Sequence, residues 1–222
     1  DGRDDLAVFD NESITDQQEG AVHVLYSDAA GLPGSDQIWK DFLPLNGSND
    51  RELFDRFGRA LAAGNFDGNS FEGHPCDDLA IGIPGEDLGS FTDNGAVLVL
   101  YGFPITGLAA ASNPGAWRWV MGADGLGGGG QIGQQMGSAL AAGDFNNDGR
   151  DDLAIGLPFS DEGATGDAGK VLVMYGTTAS GLAPANHRIF SQNSSGGDGT
   201  MQDSSENGDN FGFSLAAGDF ND

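Results

Sequence analysis

Short apolar segments separated by polar turns recur along the whole chain. Most are four to eight residues long, rich in Val, Ile, Leu and aromatic residues, and bounded by Gly, Asp, Asn and Pro. This pattern is typical of β-strands and turns, and no segment carries the sustained apolar stripe of an amphipathic helix. Runs that are apolar almost throughout, such as AVLVLY at residues 96–101, indicate strands that are covered on both faces.

The segments belong to four families that return in a fixed order. LAAGNF begins at Leu61, and LAAGDF begins at Leu140 and again at Leu215. The DDLA family follows, and its copies DDLAIGIP and DDLAIGLP begin 74 residues apart, at Asp77 and Asp151. AVHVLYS, AVLVLYG and KVLVMYG form the third family, and runs that begin with Gly-Leu form the fourth. A repeat of this length with four short strands predicts an all-β chain of β-propeller blades.

Three blades of four antiparallel strands account for the 222 residues as one propeller segment. The predicted blades cover residues of about 5–40 plus 213–220, then 59–120, then 138–192. In this scheme the C-terminal strand completes the first blade, and the small residues of LAAG lie near the crowded axis. Propellers have about 4–8 blades, so three do not close a ring. We therefore expect either a six-bladed ring of two chains or further blades in a longer parent chain.

The charge balance narrows the range of partners. The chain carries 34 acidic and 9 basic residues, a formal net charge of −25. This charge argues against binding to nucleic acid or to anionic membrane surfaces, and it favours cations as ligands. No apolar stretch approaches the roughly 18–20 residues that span a bilayer, so membrane insertion is not expected. A single cysteine, Cys76, excludes an internal disulfide.

The nonapeptide DFNNDGRDD at residues 144–152 has the spacing of a calcium loop. Its side-chain oxygens stand at positions 1, 3, 5 and 9, and position 7 offers a backbone carbonyl, which predicts the ligands Asp144, Asn146, Asp148, Arg150 and Asp152. Gly149 at position 6 permits the sharp turn, and hard oxygen ligands on a flexible loop suit Ca²⁺ better than Mg²⁺. Ile155 stands where an EF-hand has Glu. The alternative is a solvated turn rich in Asp and Asn.

Two further copies of this loop are altered. The second offers the predicted ligands Asn65, Asp67, Asn69 and Asp78, but five extra residues precede the final Asp and two charges are lost, so we expect weaker binding. His74 and Cys76 lie in that insertion, but two ligands are too few for a structural zinc site. The third copy is divided between the two ends of the chain, with the predicted ligands Asp219, Asn221, Asp1, Arg3 and Asp5. A cation would bind there if the termini meet.

The chain resembles the FG-GAP repeats of integrin α-subunit propellers and their bacterial relatives. The resemblance rests on FGRALAAGNF, MGSALAAGDF and FGFSLAAGDF, each continued by the Asp-rich loop, then by DLAIGIP or DLAIGLP, then by GAVLVLYG or its equivalent. It implies a β-propeller with structural Ca²⁺ in the loop between the first two strands of each blade. It also implies an extracellular or cell-surface protein that binds other proteins. Integrin-type rings have seven blades, whereas this chain has three.

Catalysis is not expected from these residues. The chain has no G-x-S-x-G or H-E-x-x-H motif and no nucleophile beside a plausible base. The acidic pairs at residues 86–87 and 161–162 follow the Pro of each complete repeat, which indicates a loop feature of the family. The sequence thus favours a calcium-binding adhesion or scaffold module with an unidentified protein ligand. The alternative is a non-catalytic accessory propeller of a secreted hydrolase such as a phospholipase.

Overall fold

The apolar runs form antiparallel strands in the computed structural model. It describes residues 2–11, 20–40, 54–104, 106–109, 116–178, 180–196, 199–200 and 203–221. Within these ranges the chain contains strands, turns and irregular segments but no helix, so no helix there is long and apolar enough to cross a membrane. The prediction of an all-β chain is confirmed.

The first sheet pairs three consecutive strands. They are β1 (Leu6–Asp10), β2 (Ala21–Asp28) and β3 (Gly31–Lys40), and each pairs with the next in antiparallel register. In the described part of the C-terminal segment, residues 213–221 contain no strand. The expected completion of the first sheet by that segment is therefore not confirmed and stays a prediction.

The second sheet repeats this order and gains an inner strand. The chain forms β4 (Leu61–Gly64), β5 (Ser70–Phe71), β6 (His74–Pro75), β7 (Asp78–Ile83), β8 (Ala96–Phe103), β9 (Gly107–Ala109) and β10 (Trp117–Val120). β4 pairs with β7, β7 with β8, and β8 with both β9 and β10. The outermost strand of this sheet is thus divided into two pieces. β5 and β6 form a separate hairpin.

The third sheet has four strands in chain order. They are β11 (Leu140–Gly143), β12 (Asp152–Leu157), β13 (Lys170–Tyr175) and β14 (Ala183–Phe190). The two-residue strands β15 (Ser195–Gly196) and β16 (Gly199–Thr200) follow as a hairpin. The predicted ranges 59–120 and 138–192 contain the second and third sheets, and the strand families fall in the predicted order.

Two apolar clusters join the three sheets into a stack. One contains Val22 and Val24 of the first sheet with Leu79, Ile81 and Leu98 of the second. The other joins the second sheet to the third, and it includes Phe66, Val97, Tyr101, Leu153 and Ile155. Antiparallel sheets stacked in chain order are consistent with a β-propeller-like fold, because each sheet buries its faces against its sequence neighbours.

A recurring tyrosine contact fixes the spacing of neighbouring sheets. The Tyr26 hydroxyl accepts a hydrogen bond from the Leu108 amide at 2.9 Å, and the Tyr101 hydroxyl accepts one from the Leu182 amide at 3.0 Å. The residue before each leucine is a glycine with positive φ, 71° at Gly107 and 67° at Gly181. A Cβ at Gly181 would lie 2.1 Å from the Tyr101 hydroxyl oxygen. This contact therefore explains the Gly-Leu pairs of the second and third sheets.

Candidate metal centre

Two of the predicted loops begin and end at equivalent points of their sheets. In the second sheet Gly64 pairs with Asp78, and in the third Gly143 pairs with Asp152. Each loop thus leaves a Leu-Ala-Ala-Gly strand and returns to the next strand at its first aspartate. The sequence repeat is reproduced as a structural repeat at this end of both sheets.

The intact loop is wound around the carboxylate of Asp144. One Asp144 oxygen accepts the Asp148 amide at 3.0 Å, and the other accepts the Gly149 amide at 2.8 Å. The hydrogen bond from Gly149 is the largest cause that lowers the pKa of Asp144, so this carboxyl is ionised. Asn147 and Gly149 both have positive φ, 58° and 86°, as the sharp turn requires.

Asp148 faces the guanidinium of Arg150 within the same loop. An Asp148 oxygen accepts the Arg150 amide at 3.1 Å, and the other oxygen lies 2.8 Å from the Arg150 Nη2. Asn146 and Asp148 are exposed. The predicted ligand oxygens of Asn146 and Asp148 therefore lie on an accessible part of the loop, and their chemistry suits a hard cation.

Asp152 has a structural role that the sequence interpretation missed. Its side chain is fully buried. One oxygen accepts the Phe145 amide and the other accepts the Gly176 amide, both at 2.9 Å. Burial raises the pKa of this carboxyl. The aspartate thereby ties the loop to Gly176, the residue that follows β13. The Tyr-Gly pair at the end of this strand family was the sequence signal that could have revealed the contact.

Asp78 makes the same pair of contacts in the second sheet. It accepts the Phe66 amide at 2.8 Å and the Gly102 amide at 2.9 Å. Burial raises its pKa to about 8. A carboxylate has about four lone-pair sites, so two amide donors leave room for a cation on the same group.

The five-residue insertion of the second loop is accommodated outside it. Residues 70–75 form the β5–β6 hairpin, whose turn residues Glu72 and Gly73 have φ values of 52° and 84°. The Cys76 amide donates to the Asn69 carbonyl at 3.3 Å and closes the base of this hairpin. His74 is exposed on it, and Cys76 is half-buried with a thiol pKa raised by burial. Asp78 consequently returns to the same register as Asp152.

Two amide oxygens of the second loop are buried without hydrogen-bond partners. They are Asn65 Oδ1 and Asn69 Oδ1, both predicted ligands. The amide nitrogens of the same side chains are satisfied, since Asn65 Nδ2 donates to the Asn69 carbonyl at 2.8 Å and Asn69 Nδ2 donates to the Gly102 carbonyl at 2.9 Å. Unpaired buried acceptors are costly, and coordination of a hard cation would satisfy an oxygen of this kind. The residues of the second loop therefore fit a bound cation.

The second and third loops also contact each other. The Asn65 amide donates to an Asp151 carboxylate oxygen at 2.8 Å, and the Asp151 amide donates to the Asn65 carbonyl at 3.1 Å. Burial raises the pKa of Asp77, and the charges of Asp151 and Asp4 raise it further. The first aspartate of each Asp-Asp pair thus lies towards its counterpart in the neighbouring sheet.

The divided loop is described in part, because Asp1 lies outside the described residues. Asp5 Oδ1 accepts the Ser27 amide at 2.9 Å, which matches the contacts of Asp78 and Asp152 with the end of their third strands. At the other end, an Asp219 oxygen accepts the Asn221 amide at 3.4 Å, and Phe220 is 83% exposed. These hydrogen bonds each stay within one end of the chain. Arg3 is exposed, and the joined site remains a prediction.

In the described part of the chain, no group of three or more His, Cys, Asp or Glu side chains is arranged to hold a metal ion. The ligand sets above are therefore predictions from spacing and chemistry. The unpaired oxygens of the second loop are their structural support.

The acidic pairs that follow each proline form hydrogen bonds and ion pairs that stabilise their loops. Asp87 accepts the Asp93 amide at 2.7 Å, and the equivalent Asp161 accepts the Asp167 amide at 3.0 Å. Glu86 forms an ion pair with Arg118, whereas Glu162 accepts hydrogen bonds from two serine hydroxyls, those of Ser191 and Ser205. These contacts agree with a recurring loop feature.

Comparison with known proteins identifies the repeat. Residues 136–174, which run from the start of the third repeat to β13, match the family model described as FG-GAP repeat. The chain contains an FG-GAP repeat. The predicted resemblance is confirmed, and it is consistent with the integrin-α-like propellers.

A mouse protein is similar to a larger part of the chain than the family model matches. Mouse (Mus musculus) phosphatidylinositol-glycan-specific phospholipase D is 34% identical over 149 residues. The match covers 66% of this chain and 15% of the phospholipase. The chain thus spans a small part of the length of that protein.

Proposed function

We propose that this FG-GAP repeat chain is a calcium-stabilised β-propeller segment that acts as a protein-binding, adhesion or scaffold module outside the cell. The observation that carries the proposal is the repeated loop between the first two strands of the second and third sheets. Each loop ends on a buried aspartate, and one of them holds two buried amide oxygens without partners. A net charge of −25 also favours a cation over an anionic ligand.

In the intact loop the ion would be held by Asp144, Asn146, Asp148, the Arg150 carbonyl and Asp152. When bound, calcium would neutralise the clustered carboxylates and link the ends of β11 and β12. Asp152 already fixes the loop to the end of β13 through its two amide hydrogen bonds. The chain's own residues therefore hold the loop in shape, and the cation would add a further cross-link to it.

Thermal unfolding with calcium and with a chelator tests this proposal. Extracellular calcium modules bind with dissociation constants of roughly 10⁻⁴–10⁻³ M. At a tenfold excess over that value each site adds about 1.4 kcal/mol to the free energy of unfolding. Asp148→Ala should remove much of the calcium-dependent increase. Asp203→Ala, a change at another exposed aspartate, serves as the control that retains it. If the unfolding midpoint is the same in calcium and in chelator, the proposal that calcium stabilises the fold is refuted.

A second candidate is a non-catalytic accessory propeller of a secreted hydrolase. The similarity to a protein named as a phospholipase D favours this context. In either case we expect no catalysis from these residues. A hydrolase screen of the chain should be negative. Turnover that is abolished by mutating Asp161 and Glu162 together would instead show that these residues are catalytic.

We further propose that a second copy of the chain completes the first sheet. Leu6 and Val8 of β1 are 47% and 40% exposed, whereas Leu153 and Ile155, at the same positions of β12, are 0% exposed. Leu153 and Ile155 lie in the cluster that joins the second and third sheets, so Leu6 and Val8 mark a face of the first sheet that a neighbouring sheet would cover. The edge of β1 is also open among the described residues, whereas the Leu-Ala-Ala-Gly strands β4 and β11 cover the same edge of the second and third sheets. By the same register, Gly218 of a partner copy would pair with Asp5, and two copies would form a six-bladed ring.

Light scattering in calcium measures this assembly. A dimeric mass is expected, and Ala7→Cys with Ala216→Cys in a Cys76→Ser background should form a disulfide between copies, since these residues face each other in the proposed register. The pair Ala7→Cys with Leu215→Cys, displaced by one residue, should not. A strictly monomeric chain would instead favour further blades in a longer parent chain.

A further inference from the structure

The tyrosine contact between neighbouring sheets leaves one unmatched tyrosine, in the third sheet. The hydroxyl of Tyr26 accepts the Leu108 amide of the second sheet, and that of Tyr101 accepts the Leu182 amide of the third. Tyr175 is the equivalent residue at the end of β13, and its hydroxyl makes no hydrogen bond to another described residue. The third tyrosine of the series therefore lacks the backbone amide that the other two bind.

The Gly31-Leu32 pair of the first sheet is the other unmatched half of this contact. Gly31 has a positive φ of 103°, like the glycines of the other two Gly-Leu pairs. A Cβ at Gly107 or Gly181 would collide with a tyrosine hydroxyl, whereas no described atom lies within 4 Å of a Cβ built on Gly31. Leu32 is 46% exposed, while the leucines of the other two pairs are buried. The space that a tyrosine occupies in the second and third sheets is therefore open in the first.

The third sheet has an outer face that points away from the second sheet. Its apolar residues are Ala154, Val171, Val173, Tyr175 and Phe190. The C-terminal segment packs on this face through Phe211 and Leu215. Phe211 forms a parallel bridge with Gly169, just as Met136, at the start of the third repeat, does with Gly95 of the second. The C-terminal segment therefore enters the position of a fourth sheet.

The first sheet has a matching outer face. Ala7 and Trp39 pack against the second sheet, and alternate residues of a strand point to opposite faces, so Leu6, Val8 and Ile38 lie on the other side. These three side chains are 40–47% exposed. In the second and third sheets, the residues at the positions of Leu6 and Val8 are buried against the preceding sheet. This face of the first sheet thus fits a sheet that precedes it.

We propose that the outer face of the third sheet packs on the outer face of the first sheet of a second copy, and that the Tyr175 hydroxyl accepts a hydrogen bond from the partner's Leu32 amide. A second copy fits better than an unrelated protein, because among the described residues the first sheet lacks the inner Leu-Ala-Ala-Gly strand whose sequence the C-terminal segment carries. The contact would occur twice in a six-bladed ring. It rests on the association of two copies proposed above, and it adds the surface by which they recognise each other.

Sedimentation equilibrium over a dilution series in calcium buffer measures the dissociation constant of the dimer. Tyr175→Phe removes the hydroxyl and keeps the ring, and it should raise this constant by about tenfold, because two hydrogen bonds are lost per ring. Tyr101→Phe is the matched control, since it removes the same hydroxyl between two sheets of one chain. It should lower the unfolding midpoint and leave the dissociation constant within about twofold of the wild-type value.

A second pair of variants tests the face itself. Leu32→Asp places a charge in the proposed interface and should make the chain monomeric, whereas Ile132→Asp, the same change at a residue that is 69% exposed, should leave the dimer intact. Melting midpoints verify that both variants remain folded.

The outcomes separate this contact from the association on which it rests. If the wild-type chain is monomeric, the association of two copies is refuted, and this contact with it. If the wild-type chain dimerises but Tyr175→Phe or Leu32→Asp dissociates at the same concentrations as the wild type, only the contact inferred from the unmatched tyrosine is overturned.

Discussion

Asp152→Ala tests whether a buried carboxylate organises the loop and the end of β13. The change removes the acceptor for two backbone amides, those of Phe145 and Gly176, each 2.9 Å from a carboxylate oxygen. The Gly176 amide is buried, so leaving it unpaired costs about 1–3 kcal/mol, and the partly exposed Phe145 contact contributes about 1 kcal/mol more. We expect Asp152→Ala to lower the free energy of unfolding by about 2–4 kcal/mol. For a chain of this size that is roughly 4–16 °C in midpoint.

The measurement is thermal unfolding in chelator, where the predicted role of Asp152 as a calcium ligand does not contribute. Asp148→Ala is the matched control in the same loop, because Asp148 is exposed. Its ion pair with Arg150 is exposed, and such pairs contribute about 0–1 kcal/mol, so its effect in chelator should stay below about 1 kcal/mol. If the two variants unfold at the same temperature in chelator, Asp152 does not anchor the loop. If Asp152→Ala loses additional stability in calcium buffer but not in chelator, Asp152 is a calcium ligand as well as an anchor of the loop.

Two other predictions concern the buried acid and the contact between repeats. Burial raises the pKa of Asp78 to about 8 in the folded chain, whereas an unfolded Asp titrates near about 3.9. The folded state therefore keeps a proton that the unfolded state releases, and in metal-free buffer the contribution of Asp78 to stability falls as pH rises from about 4 to about 8. Asp78→Asn should flatten that decline in urea unfolding, and an unchanged slope would contradict it. Gly156→Ala would place a Cβ 2.1 Å from the Gly212 carbonyl oxygen, where neighbouring repeats meet, and it should destabilise by about 3 kcal/mol or more. Gly166→Ala, whose Cβ would lie 3.7 Å from the nearest atom, should be nearly neutral in the same melts, and equal effects of the two changes would refute the argument.

The insertion in the second loop shows how far loop spacing can be interpreted without a structure. The extra residues between Asn69 and Asp78 predicted a weakened site, because ligand spacing along the chain was broken. The structure places them in the β5–β6 hairpin, and Asp78 stays opposite Gly64. Register is set by cross-strand pairing, so an insertion that pairs with itself leaves the flanking strands in place.

The amino-acid sequence determined the strand families, their order and the FG-GAP identity of the repeat. These follow from local signals, because apolar segments predict strands and glycine predicts turns. The spacing of a repeat can be recognised in the sequence whatever the repeat packs against. Tertiary structure decided the rest. The anchoring of Asp152 to Gly176, the contact of Asn65 with Asp151 and the hydrogen bond of Tyr101 with the Leu182 amide each join residues that are distant along the chain. The first of these contacts follows from the pairing of β12 with β13 inside one sheet. The other two exist because neighbouring sheets bury their faces against each other, and that packing cannot be derived from a single repeat.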